Sequence, residues 1–204
     1  TSGMLVFSSG SASSGNSGAL ELGSGAATDG RGGMILFSVG SGTSSAGASI
    51  QAFAGRSTVH TGGVVSFASG EGTATTSGMI TIRSVNAGML GTSGMLVFSS
   101  GTASSGNSGA LELGSGAATD GRGGMLLFTV GSGTSGAGGS LKAFAGRSTV
   151  NTGGAISVSS GEGTATSSGA VIVRSANAGT AGVSGMLIFS SGSTSSGNSG
   201  AVIV

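Results

Sequence analysis

The repeat of this chain is set by Ser2-Gly3-Met4-Leu5-Val6-Phe7-Ser8-Ser9-Gly10, a segment that occurs three times. It returns unchanged at 93–101, and with Ile in place of Val at 184–192. The 204-residue chain therefore has a long period of 91 residues. Because equivalent segments of a repeat adopt equivalent local structures, the sequence predicts a repeat architecture.

A shorter period runs inside the long one. The first large aliphatic residue after each Gly, called the anchor below, recurs at five steps of fifteen positions and one step of sixteen before the series starts again. A second apolar residue follows two positions after each anchor, and the residue between them varies freely. This alternation is typical of a short β-strand whose constant positions face inward.

Glycines flank each apolar segment at constant distances from the anchor. Gly stands two residues before the anchor in thirteen of fourteen repeats, with Ala48 as the exception, and five residues after it in eleven of thirteen. Such positions indicate corners that need a positive φ or a close backbone approach. Small residues follow the second corner, so each coil would have one wall of large side chains and one thin wall.

We predict from these periods an all-β fold, a single β-solenoid (β-helix) of 15-residue coils. Its 91-residue super-repeat would hold five 15-residue coils and one 16-residue coil, the extra residue acting as a bulge. Residues 1–91 and 92–182 would form two super-repeats, and 183–204 the start of a third. The chain begins and ends inside the pattern, so we expect one continuous solenoid that is a fragment of a longer chain.

Three sets of residues would build this solenoid and its contacts. The core columns, facing inward, comprise Leu5, Phe7, Leu20, Leu22, Ile35, Phe37, Leu96, Phe98, Leu111, Leu113, Leu126 and Phe128. The candidates for lateral contacts between molecules, facing outward, are Met4, Val6, Met34, Leu36, Met95, Val97, Met125 and Leu127. Opposite charges at the same position of adjacent coils predict register-fixing ion pairs between Arg56 and Glu71 and between Arg147 and Glu162.

The composition excludes most chemistry. The chain has no Cys, one His and a net charge of +1, so we expect no catalytic residue, no metal site, no cofactor and no nucleic-acid partner. His60 corresponds to Asn151 in the next super-repeat, which argues against an acid-base role. The longest apolar runs are four or five residues, too short for a membrane-spanning helix. We therefore predict that the protein is not an enzyme.

Low-complexity motifs such as Ser14-Gly15-Asn16-Ser17-Gly18 and Val39-Gly40-Ser41-Gly42-Thr43 occur along the whole chain. In these motifs it resembles β-solenoid repeat proteins and, more loosely, the long Gly/Ser/Thr-rich repeat proteins predicted from algal genomes, notably those of diatoms. The resemblance implies an extracellular or cell-surface location, and it supplies no catalytic residues.

The expected function is structural, namely a rod or filament that grows by coil stacking and associates laterally with copies of itself. An alternative is a flat-faced solenoid that binds ice or polysaccharide, because Thr28, Thr43, Thr58 and Thr73 form a regular column. A further alternative is the shaft of an adhesin or viral fibre. Each of these solenoids would use the same repeat, so the sequence leaves the alternatives open.

Overall fold

The computed structural model describes residues 3–203, and within that range the chain forms neither an α-helix nor a β-strand. The chain divides into two units, Thr1–Ser99 and Ser100–Val204. Each unit consists of irregular segments separated by short bends and one tight turn. The bends of the first unit lie at 13–15, 28–30, 43–45, 58–60 and 73–75, with a turn at 89–90. Those of the second lie at 104–106, 119–121, 134–136, 149–151, 164–166 and 195–197, with a turn at 180–181.

These bends follow the period of the sequence. Neighbouring bends within a super-repeat start fifteen positions apart, and the turns at 89–90 and 180–181 fall within the two longer repeats. Each bend begins at the column of Ser and Thr that follows the second flanking Gly. The small residues therefore lie where the chain changes direction, and the large apolar residues lie in the segments between bends.

A single backbone hydrogen bond between two glycines closes most of the bends into loops. In the first unit, the N–H of Gly33 donates to the carbonyl of Gly25 at 3.0 Å, and the N–H of Gly63 to that of Gly55 at 2.8 Å. In each case the acceptor follows one anchor by five residues, and the donor precedes the next anchor by two. The other loops closed in this way are 70–78, 116–124, 131–139, 146–154 and 161–169.

The donor glycines also make the close approach that the sequence predicts. A Cβ added at Gly33 would lie 3.0 Å from the Cβ of Ser24, and one at Gly63 would lie 3.1 Å from the backbone nitrogen of Gly55. The two flanks of each loop thus run side by side with no room for larger side chains. Positive φ is the rarer requirement, and it occurs at Gly10 and at the third residue of the first bend in each 91-residue period, Gly15, Gly106 and Gly197.

The longer repeats form a tighter turn than the others. The N–H of Gly91 donates to the carbonyl of Gly88 at 3.4 Å, and a Cβ added at Gly94 would lie 3.3 Å from the Cβ of Ser84. These nested approaches show that the chain doubles back around the turn at 89–90. In the second unit, the bond from Gly182 to Gly179 makes the same turn.

The prediction of a β-solenoid, or β-helix, is wrong. A solenoid needs parallel ladders of hydrogen bonds between residues one coil apart, whereas the nine backbone hydrogen bonds of residues 3–203 join residues eight or three positions apart within one loop. The physical reason is the short alternating segment. Only about three residues of each repeat alternate between glycine-rich flanks, and such flanks lose much entropy on ordering and specify strand register weakly. The flanking glycines instead form a hydrogen bond with each other inside one loop, which requires no ladder between repeats.

Residues 3–203 also form no hydrophobic core of their own. No hydrophobic side chain in the described range is buried, and the accessible surface is 20097 Å². A compact protein of 18.7 kDa exposes about 8,300 Å². The predicted core columns are therefore solvent-accessible in this structure, and their large side chains need a further partner to leave water.

The loop at 131–139 and its counterpart at 40–48 differ at the donor position. Gly139 donates to Gly131 at 3.1 Å, whereas Ala48, its counterpart in the first unit, makes no such bond to Gly40 in the described chain. A Cβ at Gly139 would collide with Cγ1 of Val130, and Val39 stands at the equivalent place in the first unit. The added methyl group and the valine thus compete for the same space.

We therefore expect Ala48→Gly to close the loop at 40–48 and Gly139→Ala to open the loop at 131–139. A hydrogen bond is worth about 1 kcal/mol, so amide exchange at the substituted position should slow or quicken roughly fivefold. Exchange measured by NMR on both variants checks this. Unchanged exchange at both positions would show that Val39 and Val130 do not control loop closure.

Candidate functional site

The most distinctive surface of the chain is its set of apolar columns. Most anchors are less accessible than the apolar residues next to them, and their exposed fractions lie between 42% at Ile35 and 79% at Leu5. The residues just before them are more accessible, as Met34 at 82% shows. In the segment Met34-Ile35-Leu36 the anchor is thus less exposed than both of its neighbours, although the residues do not form a strand.

The structure places every predicted core and lateral-contact residue on an accessible surface. Leu96, Leu111 and Leu126 each remain about half exposed, and Phe98 and Phe128 are exposed to a similar degree. Seven of the eight predicted lateral contacts are more exposed than the anchors beside them, and the exception is Val6, at 64% beside Leu5 at 79%. Within residues 3–203, core and contact residues are therefore both accessible to solvent and are not divided into an inside and an outside.

One groove brings together side chains from three consecutive repeats. It has a volume of about 280 Å³ and lies in the first unit. Phe7 comes from the first repeat, Leu20 and Leu22 from the second, and Phe37 from the third, with Glu21 as its one charged lining residue. Four of the predicted core residues thus meet, and they form an open apolar groove instead of a closed interior.

A second, smaller cavity of about 210 Å³ lies in the longer repeat of the second unit. Four successive residues, Arg174, Ser175, Ala176 and Asn177, line it. It is polar and precedes the turn at 180–181. This repeat differs from its neighbours in sequence by one extra residue. Its sequence contains no pattern of chemical groups that predicts a cavity.

The predicted ion pairs involve exposed side chains at the start of neighbouring loops. Arg56 directly follows Gly55, and Glu71 directly follows Gly70, so both occupy the first position after the acceptor glycine. Arg147 and Glu162 repeat this arrangement in the second unit. Pairing between them stays a prediction, and exposed pairs of this type contribute about 0–1 kcal/mol.

Serine side chains organise the loop that contains His60. The Oγ of Ser57 accepts a hydrogen bond from the backbone N–H of His60 at 2.8 Å, and that of Ser148 accepts one from Asn151 at the same distance. His60 and its counterpart Asn151 therefore make this bond through the backbone N–H and not through the side chain. Either side chain is compatible with the bond. Sequence reasoning missed these serines, although Ser three residues before a loop residue is a known turn-forming arrangement.

Serine hydroxyls also fasten the loops next to the anchors. The Oγ of Ser24 donates to the carbonyl of Gly33 at 2.8 Å, and Ser115 makes the same bond to Gly124 in the second unit.

The Thr column lies at the first residue of the bends, and its binding of ice or polysaccharide stays a prediction. No three His, Asp or Glu side chains within residues 3–203 form a metal-ligand group.

Comparison with protein-family models, with curated proteins and with solved structures finds no match to this chain. No helix that could cross a bilayer occurs in the described part of the chain.

Proposed function

We propose that this chain is a structural protein, located outside the cell or at its surface, that assembles with further copies of itself. The observation that supports the proposal best is that no hydrophobic side chain within residues 3–203 is buried. The total accessible surface, polar and apolar together, is 20097 Å², about 12,000 Å² more than that of a compact chain of its mass. A standard protein interface buries about 1,600 Å², so the excess could supply several interfaces.

The arrangement of this surface favours a second copy as the partner. The apolar residues recur at steps of fifteen or sixteen positions, so two copies carry identical series of side chains at identical intervals. A partner with the same intervals can contact many repeats at once, and many weak contacts add up to a stable association. The open groove at Phe7, Leu22 and Phe37 can accept large side chains of this kind.

The charge of the chain also favours self-association. Seven basic and six acidic residues give a net charge of +1, so copies of the chain repel one another little. Because Glu21 is the one charged residue that lines the apolar groove, little charge would have to be desolvated there. A catalytic role has no comparable support, since the chain contains one His and no Cys.

Sedimentation velocity over a hundredfold range of protein concentration tests the proposal. We expect the sedimentation coefficient to rise with concentration, because association between copies depends on concentration by mass action. The chain is expected to remain associated in sodium sulfate, which strengthens apolar burial. A sedimentation coefficient that stays at the monomer value throughout would contradict self-association and would indicate that the apolar columns pack within one chain.

A further inference from the structure

The methionines of this chain are concentrated at one position of the repeat. Six of the seven lie directly before an anchor and directly after a Gly, and we call these six the methionine column. The seventh, Met89, lies in the tight turn at 89–90. The members of the methionine column are Met4, Met34, Met79, Met95, Met125 and Met186.

These side chains are highly accessible. The exposed fractions in the methionine column lie between 79% and 89%, so every thioether can be reached by a small solute. The chain contains no Cys, Trp or Tyr, so the thioethers are its principal groups for reaction with mild two-electron oxidants. Accessibility and chemistry thus coincide on one column of the apolar surface.

We propose that the methionine column is an oxidation site that controls self-association. A peroxide transfers one oxygen atom to each thioether, so that an S–O bond forms, the O–O bond breaks, the sulfur loses two electrons and the peroxide is reduced to water or an alcohol. Methionine sulfoxide is polar where the thioether is apolar, so the modified chain would have to desolvate a polar group next to each affected anchor. This inference rests on the proposed self-association.

The rate of methionine oxidation would depend on whether the chains have already associated. Free chains expose the methionine column and would be oxidised readily, whereas associated chains would cover it and slow the reaction. Reduction by a methionine sulfoxide reductase with a thiol as reductant reverses the change, converting the sulfoxide to the thioether while the thiol becomes a disulfide and water is released. The protein itself has no Cys that a thiol reagent could alter.

The experiment treats dilute chain with hydrogen peroxide, quantifies sulfoxide by mass spectrometry, and compares sedimentation of oxidised, repaired and untreated chain. We expect oxidation to raise the concentration needed for association at least about tenfold, because several sulfoxides act on one surface, and repair to restore it. A variant with the six column methionines replaced by Leu, a swap of similar volume, should associate equally before and after peroxide. The matched control, Met89→Leu, should keep the sensitivity to peroxide.

Each result separates this inference from the proposed function. Association that is unchanged after complete oxidation of the column would overturn the oxidation site while leaving self-association intact. Absence of association in the untreated chain would overturn self-association itself. Equal peroxide sensitivity of the parent and the six-fold Leu variant would assign the effect to Met89 or to other residues and would also overturn the inference.

Discussion

Replacement of Leu96 by aspartate is expected to abolish self-association of the chain at concentrations where the parent associates. Leu96 is 49% exposed and belongs to the anchor column, so contact with another copy would remove its remaining surface from water. Loss of that burial costs about 1 kcal/mol, and an unpaired carboxylate in an apolar contact costs several kcal/mol more. A total of about 4 kcal/mol weakens association roughly thousandfold, which sedimentation velocity would detect.

Two matched variants control for this experiment. Leu90→Asp makes the same chemical change in the turn at 89–90, where the second super-repeat has Ala181, and it should leave association close to that of the parent. Glu112→Gln changes an exposed residue between two core-column positions, and it should be nearly silent as well. If Leu96→Asp associates like its controls, the anchor column is not the contact surface.

Leu96→Asp should leave the local loops unchanged. The bond from Gly124 to Gly116, at 3.2 Å, involves neither the side chain of Leu96 nor its immediate neighbours. Amide exchange at Gly124 therefore reports whether a loss of association arises from the contact surface or from a general change of structure. Exchange equal to that of the parent is the expected result.

Structural features that depend on interactions within one repeat could be predicted from the sequence. The positions of the bends, such as 28–30 and 43–45, follow from the period, because the glycines before and after each anchor act within their own repeat. Close approach at Gly33 and Gly63 follows from the same local pattern. These features are encoded within a few residues, so one sequence suffices to predict them.

The pairing of repeats could not be predicted in this way. The alternation at Leu5 and Phe7 is compatible with a parallel stack and equally with isolated extended segments between loops, because three residues fix no ladder. The bond between Gly25 and Gly33 shows that the flanking glycines join within one loop instead of across coils. The groove that joins Phe7, Leu22 and Phe37 depends on contacts between repeats, which the period alone does not describe.

Replacement of Gly163 by alanine is expected to open the loop at 161–169. A Cβ at this position would collide with the carbonyl oxygen of Ser167 and would lie 2.8 Å from its carbonyl carbon. Both are backbone atoms, so no side-chain rotation can relieve the contact. Gly163 is also partly buried, unlike most residues of the described chain. The loop is held by one bond of 3.0 Å from Gly169 to Gly161, worth about 1 kcal/mol, which is less than the cost of the collision.

The hydrogen-bond protection of the Gly169 amide should therefore be lost, and backbone chemical shifts should change throughout 161–169. Gly161→Ala is the matched control, because a Cβ there has no neighbour within 4 Å and its φ is not positive. Gly72 faces Thr76 in the same way in the first unit, so Gly72→Ala should open the loop at 70–78 and leave 161–169 unaltered. Retained protection of Gly169 in Gly163→Ala would show that the loop accommodates a side chain and that its glycine is dispensable.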